Sequence, residues 1–214
     1  MKAVAASFAL AALLATPVLA KPKQGVGRAY TNPSDIVAAE IAFNRLAREK
    51  GQWTAFLETA ADDAVMFVPQ KVLAKDWLKD RANPPKAVQW QPQRVYISCN
   101  GRTAASTGAW QRPDGTQGYF TTIWRLGDKG EWKWALDHGD ALKTPLPQKE
   151  FTEGHVATCN HAEKHRSADG APRADESLLW DYAVHDDGSR EVRVRVWNGE
   201  DYDLVIDDKV AANP

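Results

Sequence analysis

Three titratable residues lie within or next to stretches of apolar residues in this sequence. Glu40 falls in the middle of an apolar stripe at helical spacing, and Asp137 and His138 end a tryptophan-rich stretch. Apolar surroundings shift the proton affinity of carboxyl and imidazole groups, which suits proton transfer next to a carbonyl. The three residues therefore indicate either acid–base chemistry in a cavity or polar groups that are hydrogen-bonded inside the core.

A cluster of candidate metal ligands lies further along the chain, at His155, Cys159, His161 and His165. The i, i+4 spacing of His161 and His165 would place both imidazoles on one face of a helix, as a zinc or copper site requires. The spacing matches no standard zinc motif, and a cysteine held in a disulfide cannot ligate a metal. The alternative is a histidine-rich loop that binds no metal, and we expect no cofactor.

The first twenty residues have the features of a signal peptide. Lys2 supplies the positive charge, residues 4–15 are apolar, and the stretch ends in the small residue Ala20. Pro17 interrupts the run before it reaches the ~20 apolar residues that a membrane-spanning helix needs. We therefore predict a periplasmic or secreted protein that has no membrane segment after cleavage, with a polar leader over residues 21–33.

The chain has two cysteines, Cys99 and Cys159. An even count in an exported protein favours a disulfide. Such a bond would close a loop of about 60 residues and contribute on the order of 4 kcal/mol in the chain-entropy model. Two unpaired thiols are the alternative.

The charge pattern gives no support for a nucleic-acid partner. The formal net charge is −1 and no lysine- or arginine-rich block is present, so a polyanion would meet no basic surface. The chain has nine tryptophans. Their number indicates wide aromatic surfaces, either in the core or around an apolar ligand.

Helical patterns come first after the leader. Apolar spacing predicts a helix over Asp35–Lys50, with Ser34 as its N-cap and Gly51 at its end. Further short helices are predicted around Trp53 and over Lys71–Arg81. The apolar stripe of the first helix consists of Ile36, Ala39, Phe43, Leu46 and Ala47.

Strand patterns follow. A short buried strand is predicted at Val65–Val68, and hairpin-linked strands are predicted over Trp90–Ser98, Thr103–Trp110 and Tyr119–Leu126. Simple alternation in the next strand puts Trp132, Trp134, Leu136 and His138 on one face and Lys133, Ala135 and Asp137 on the other. Helices followed by a run of hairpins predict an α+β fold with an antiparallel sheet.

Several landmarks over Ser34–Leu142 resemble the nuclear transport factor two-like superfamily, and more narrowly its exported bacterial, SnoaL-like (polyketide-cyclase-like) branch. They are Glu40-x-x-Phe43-Asn44, AFLETAADDAVMFVP, the W-x-P at Trp90 and Pro92, STGAW, GYFTTIW and EWKWALDHGD. The resemblance implies a strongly curved sheet wrapped around helices to form a cone with an apolar pocket. Members include steroid isomerases, dehydratases, cyclases and binding or scaffold domains. The Tyr and Asp residues of the isomerase sites find no match at Tyr96, Tyr119 or any Asp here.

The cone pocket is the candidate site. We expect Glu40, Trp90, Trp124 and His138 to surround it and Asp76 and Asp137 to lie at its rim, although the face of Trp124 stays open. The other predicted pocket residues are Phe43 and Trp77. The predicted function is binding of a small, largely apolar molecule or a scaffold role, with a homodimer as in many relatives. The alternatives are a proton-transfer enzyme with Glu40 or Asp137–His138 as base, and a periplasmic metal binder.

The chain beyond the resemblance has a different texture. Residues 143–177 are predicted to be a linker and a histidine-rich segment, and residues 178–214 a β-meander. Its strands are predicted over Leu178–His185, Glu191–Trp197 and Tyr202–Asp207. Three strands alone have doubtful stability, so we expect the meander to extend or cover the main sheet.

Overall fold

A computed structural model describes residues 31–159 and 177–212. Three helices and ten strands follow one another along these ranges. They are α1 Ser34–Lys50, α2 Gln52–Thr59, β1 Ala60–Phe67, β2 Lys71–Leu73, α3 Ala74–Leu78, β3 Gln89–Ile97, β4 Thr103–Gln111, β5 Gln117–Leu126, β6 Trp132–Ala141, β7 Glu153–Val156, β8 Leu178–Val184, β9 Arg190–Trp197 and β10 Tyr202–Val210. The predicted α+β class is confirmed. No helix in these ranges is long and apolar enough to cross a membrane.

The first helix forms where its apolar stripe predicted. It buries Ile36, Glu40, Phe43 and Ala47 and ends at Gly51, whose φ of 103° favours glycine. The predicted N-cap was wrong by one position, because Pro33 occupies it and Ser34 is already helical. The backbone amide of Ser34 instead donates to the side chain of Asn32 at 3.0 Å.

The predicted third helix over Lys71–Arg81 was wrong in its first part. The chain reverses after β1, and β2 pairs antiparallel with it, with Val65 opposite Leu73. Helix is left only over α3, from Ala74 to Leu78. The backbone N–H and C=O groups of β2 find their hydrogen-bond partners in β1. A helical pattern read from neighbouring residues does not reveal this pairing.

The main sheet has seven strands in the order β2-β1-β6-β5-β4-β3-β7. Its centre is antiparallel, but β1 pairs parallel with β6, and β7 pairs parallel with β3. The predicted antiparallel sheet is confirmed for the hairpin-linked strands β3 to β6, and the structure adds these two parallel pairs. Strand β7 lies within the segment predicted as linker, and it reaches the far edge of the sheet after the chain leaves β6.

A β-bulge in β6 changes which side chains share a face. Ile123 pairs with Leu136 and Trp124 with Trp134, which leaves Ala135 as an extra residue. One extra residue moves every following side chain to the opposite face. Trp134 therefore packs against the helices, whereas Leu136 packs against the C-terminal strands, and their predicted common face was wrong.

The three C-terminal strands form the predicted meander, in the order β10-β9-β8. They cover the outer face of the main sheet rather than extending it. The buried cluster between the two sheets contains Tyr96, Ala105, Ile123, Leu136, Ala157, Leu178, Val192, Val194, Val196 and Ile206. The alternation predicted for β9 is thus confirmed, because its three inward valines make this contact.

The short segment after β7 connects the two sheets. Cys99 and Cys159 are joined in a disulfide, with Cα atoms 5.1 Å apart. Ala157 donates its amide to Ile97 of β3, and Thr158 donates its amide to Trp197 of β9. The predicted disulfide therefore anchors the chain where it passes from one sheet to the other. The predicted signal peptide, most of the leader, and His161 and His165 lie outside the described residues.

Candidate functional site

A cavity of about 590 Å³ opens between the helices and the inner face of the main sheet. Its wall is largely aromatic, with Phe43, Trp53, Phe56, Phe67, Trp90, Trp110 and Phe120. The polar and charged lining residues are Gln52, Arg112, Thr122, Asp137, His138, Asp140 and Arg190. A volume of this size that combines aromatic rings with convergent polar groups is typical of sites for small molecules.

Aromatic packing shapes the wall before any ligand arrives. The Phe43 ring lies 4.8 Å from the Phe56 ring and 4.7 Å from the Trp90 ring, centroid to centroid. The pairs are tilted or edge-on, which is the favoured geometry. Phe43 itself is only 2% exposed. The wall is therefore rigid and preformed, so a ligand would not need to order it.

Asp137 places a carboxyl group inside this apolar chamber. The bulge at Ala135 turns Asp137 to the inner face, opposite Thr122 on β5. The Thr122 hydroxyl donates to Oδ2 of Asp137 at 2.9 Å. The pKa of Asp137 is raised to about 7, first because of burial; the Thr122 hydrogen bond opposes the rise, and the negative charge of Glu40 adds a smaller increase. A carboxyl group in this range can both give and take a proton near neutral pH.

Glu40 lies behind the cavity wall rather than in it. Its carboxylate accepts hydrogen bonds from Nε1 of Trp90 at 2.7 Å, from Nε1 of Trp124 at 3.2 Å and from the Ser106 hydroxyl. The residue is 1% exposed and burial raises its pKa, which these three hydrogen bonds oppose. Glu40 thus matches the alternative of a satisfied buried polar group, and it holds the Trp90 indole in the wall.

His138 borders the cavity, but its ring points to the outer face of the sheet and contacts Arg190 there. The Arg190 Nε–H donates to Nδ1 of His138 at 3.2 Å. Burial, and secondarily the charge of Arg190, lowers the pKa of His138 to about 3. The imidazole is therefore neutral, and Asp137 and His138 point to opposite faces of β6. The two side chains therefore do not act on one cavity as the joint Asp137–His138 base of the enzyme alternative.

Among the cavity residues that the sequence did not predict, which include Arg112 and Asp140, Arg190 is the most buried cation. It begins β9 and is 7% exposed, and its Nη2 donates to the carbonyl of Gly139 at 2.9 Å. Its guanidinium lies 5.1 Å from the centroid of the Phe67 ring. The signal was present in the parity of the strand, because Arg190 is in phase with the inward-facing Val192 and Val194.

The remaining predicted pocket residues lie outside the cavity wall. Trp124 faces inward but sits behind Trp90, where it bonds Glu40. Trp77 packs on Trp53 at 5.2 Å and supports the wall from outside. Asp76 is exposed on α3, because the helix buries Ala74 and Leu78 instead. Of the eight predicted residues, the structure brings to the cavity Phe43, Trp90, Asp137 and His138.

The described ranges contain no group of three or more metal-ligating side chains that could hold an ion. Cys159 is bonded to Cys99. The His155 ring is stacked on Tyr96 at 5.1 Å. Cys159 is therefore unable to ligate, and His161 and His165 fall outside the described residues, so the proposed metal role receives no support from this part of the chain.

Several solved structures are similar in fold to about half of this chain. No family model and no curated protein matches it. Among solved structures, a protein proposed to be a ketosteroid isomerase from Parabacteroides distasonis is 17% identical with a TM-score of 0.42, and covers 55% of this chain and 98% of its own. A ketosteroid isomerase-like protein from Erwinia carotovora atroseptica is 14% identical with a TM-score of 0.40, over 54% and 100%.

A third similar structure is the CaMKII hub from S. rosetta, 20% identical with a TM-score of 0.37 over 52% of this chain and 98% of that one. Other neighbours are described as nuclear transport factor two-like or as cystatin-like in fold. The helices packed on a large curved sheet are the architecture that the sequence resemblance implied.

Proposed function

We propose that this protein binds a small, largely apolar molecule in the cone cavity. The observation that supports this proposal is the preformed aromatic chamber of about 590 Å³ with Asp137 inside it. Rigid aromatic walls bury ligand area at low entropic cost. We further propose that the protein is exported, because residues 1–20 read as a signal peptide and the two cysteines form a disulfide.

Intrinsic tryptophan fluorescence tests binding, because Trp53, Trp90 and Trp110 line the cavity. A set of small aromatic and alicyclic ketones and alcohols should quench or shift this emission saturably. Val88→Phe adds volume in the wall and should weaken binding severalfold. Leu204→Phe makes a comparable apolar enlargement on β10, at a position 51% exposed and outside the cavity, and should leave binding unchanged. Equal affinities in the two variants would refute the proposed cavity site.

A second candidate function is catalysis of proton transfer next to a carbonyl. Asp137 favours it, because its pKa of about 7 lets it exchange protons inside an apolar site. In deuterated water the protein should catalyse exchange of the α-protons of a ketone that binds, as followed by proton NMR. Asp137→Asn should abolish the catalysed exchange, whereas Asp128→Asn, in an exposed turn, should retain it. Exchange at the uncatalysed rate with a bound ketone would leave binding alone as the function.

A scaffold role through a homodimer has one structural constraint. The outer face of the main sheet is already covered by β8, β9 and β10, so a dimer would form through a different surface. Light scattering of the purified protein measures the mass directly. A monomer at micromolar concentration would remove the scaffold alternative and leave ligand binding unaffected.

A further inference from the structure

Arg190 is a mostly buried cation at the cavity wall that forms no contact ion pair with a described carboxylate. Among residues 31–159 and 177–212, no carboxylate oxygen lies within 4.0 Å of its guanidinium. The residue is 7% exposed and lines the cavity. Burying a charge is unfavourable unless it is paired. Asp140, which lines the same cavity, acts on the Arg190 charge through space without contacting it. The guanidinium therefore stands beside the aromatic wall with no carboxylate in contact.

The guanidinium is fixed in place but keeps donors for a ligand. Nε donates to Nδ1 of His138 at 3.2 Å, and Nη2 donates to the carbonyl of Gly139 at 2.9 Å. Arginine has five N–H donors. Nη1 has no acceptor within the described ranges, and it is not among their buried unsatisfied atoms. Two neutral acceptors therefore orient the guanidinium without neutralising it, and Phe67, another wall residue, lies against it at 5.1 Å.

We propose that Arg190 binds the carboxylate of an amphipathic ligand whose apolar body fills the aromatic cavity. This inference rests on the proposed function and names the class of molecule: an apolar monocarboxylate. The planar guanidinium can donate two parallel hydrogen bonds to the two oxygens of a carboxylate, which a single point charge cannot do. A single buried arginine fits one negative charge, since multiply charged phosphates usually meet several cations or a helix N-terminus.

The charges at the rim agree with a monoanion. Arg112 lines the cavity and lies 5.0 Å from the centroid of the Trp110 ring, also a wall residue. Asp140 lines the same rim and opposes one positive charge. With Asp137 protonated, the cavity carries one excess positive charge, which one carboxylate balances. Protonated Asp137 would then be free to donate a hydrogen bond to an uncharged oxygen on the apolar body.

This assignment makes the C-terminal sheet part of the binding site. Arg190 comes from β9, whereas the aromatic wall comes from the helices and the main sheet. The valines that follow it in the strand, Val192 and Val194, fix β9 against the outer face of the main sheet. The cone domain supplies the volume, and the added sheet supplies the charge that selects the ligand.

The experiment compares naphthoate with naphthamide, which share an apolar body and differ in charge. Affinities are measured by tryptophan fluorescence at pH 6 on the whole protein. Wild type should bind naphthoate about tenfold or more tightly than naphthamide, as expected for hydrogen bonds to a charged group. Arg190→Gln should remove this preference while changing naphthamide affinity less than about threefold.

Matched variants separate the anion site from general effects. Arg195→Gln makes the same substitution on β9 at a residue that pairs with Asp181 away from the cavity, and it should keep the naphthoate preference. Arg190→Lys keeps the charge but loses the planar fork, so its preference should be intermediate. If Arg190→Gln fails to fold by circular dichroism, the wild-type ratio and the Arg190→Lys ratio still decide the question.

Each outcome has a distinct meaning. Equal binding of naphthoate and naphthamide by wild type would overturn the role of Arg190 and leave the proposed cavity function intact. Binding of neither compound, nor of decanoate and decanamide, would count against the proposed function itself. Inorganic phosphate that displaces naphthoate at equal millimolar concentration would also overturn the inference, because the site would then recognise anions without the apolar body.

Discussion

Asp137 should give the stability of the folded protein a pH dependence that can be measured without a ligand. Its pKa rises from 3.8 to about 7 in the folded state, first because of burial. The folded protein therefore binds this proton more tightly than the unfolded chain does. Its contribution to stability is fully present below pH 3.8 and is lost as pH rises through 7.

The size of the effect follows from the two pKa values. A rise from 3.8 to about 7 corresponds to about 4 kcal/mol of unfolding free energy. Because the Asp137 side chain is only partly buried, solvent screens part of its charge, and we expect about 2 to 4 kcal/mol. Most of this loss falls between about pH 4 and pH 7.

Asp137→Asn isolates the contribution, because the amide keeps an oxygen for the Thr122 hydroxyl but cannot ionise. Urea unfolding is followed by tryptophan fluorescence with the disulfide intact, from pH 4 to pH 8. The free energy of unfolding of the variant, relative to that of wild type, should rise by about 2 to 4 kcal/mol from pH 4 to pH 8. A constant destabilisation caused by the substitution itself does not affect this change with pH. Parallel stability curves would refute the assigned pKa, and Asp128→Asn should give them.

Three further changes should alter stability in the same urea assay at pH 6. Glu40→Gln leaves one acceptor oxygen for three donors and should lower the free energy of unfolding by about 1 to 3 kcal/mol. Glu40→Ala should lower it further. No change would mean that the buried hydrogen bonds around this carboxylate are absent. Phe43→Ala should cost about 3 to 5 kcal/mol, because the ring is packed against three other aromatic side chains; a loss under 1 kcal/mol would contradict that packing. Replacing Cys99 and Cys159 together by Ser should cost about 2 to 5 kcal/mol, and an unchanged midpoint would argue that the thiols are not paired.

Local patterns in the sequence predicted the parts of the fold that local physics decides. The stripe of α1 and the glycine at its end predicted the helix within one residue, because side-chain spacing and positive φ act over a few residues. The alternation of β9 predicted its buried face. The disulfide between Cys99 and Cys159 was predicted from an even cysteine count in a chain expected to be exported.

The candidate site depends on features that no local pattern contains. The bulge at Ala135 exchanges the faces of Asp137 and His138, and it is set by pairing with β5 rather than by the residues of β6. Arg190 meets His138 across a sequence separation of 52 residues. Alternation along one strand identifies two faces but does not say which neighbour covers each. Asp137 was predicted at the rim of the pocket, but its position inside the cavity and the contact of Arg190 with His138 depend on tertiary structure.

Native mass spectrometry of the protein purified from the cells that produce it tests the central proposal most directly. Gentle ionisation should release a chain that carries the added mass of one small molecule, and Val88→Phe should reduce the occupied fraction while Leu204→Phe preserves it. Fragmentation should identify that molecule as an apolar monocarboxylate. A bare chain under conditions that retain other non-covalent ligands, together with no saturable binding of the fluorescence probes, would contradict a ligand-binding cavity.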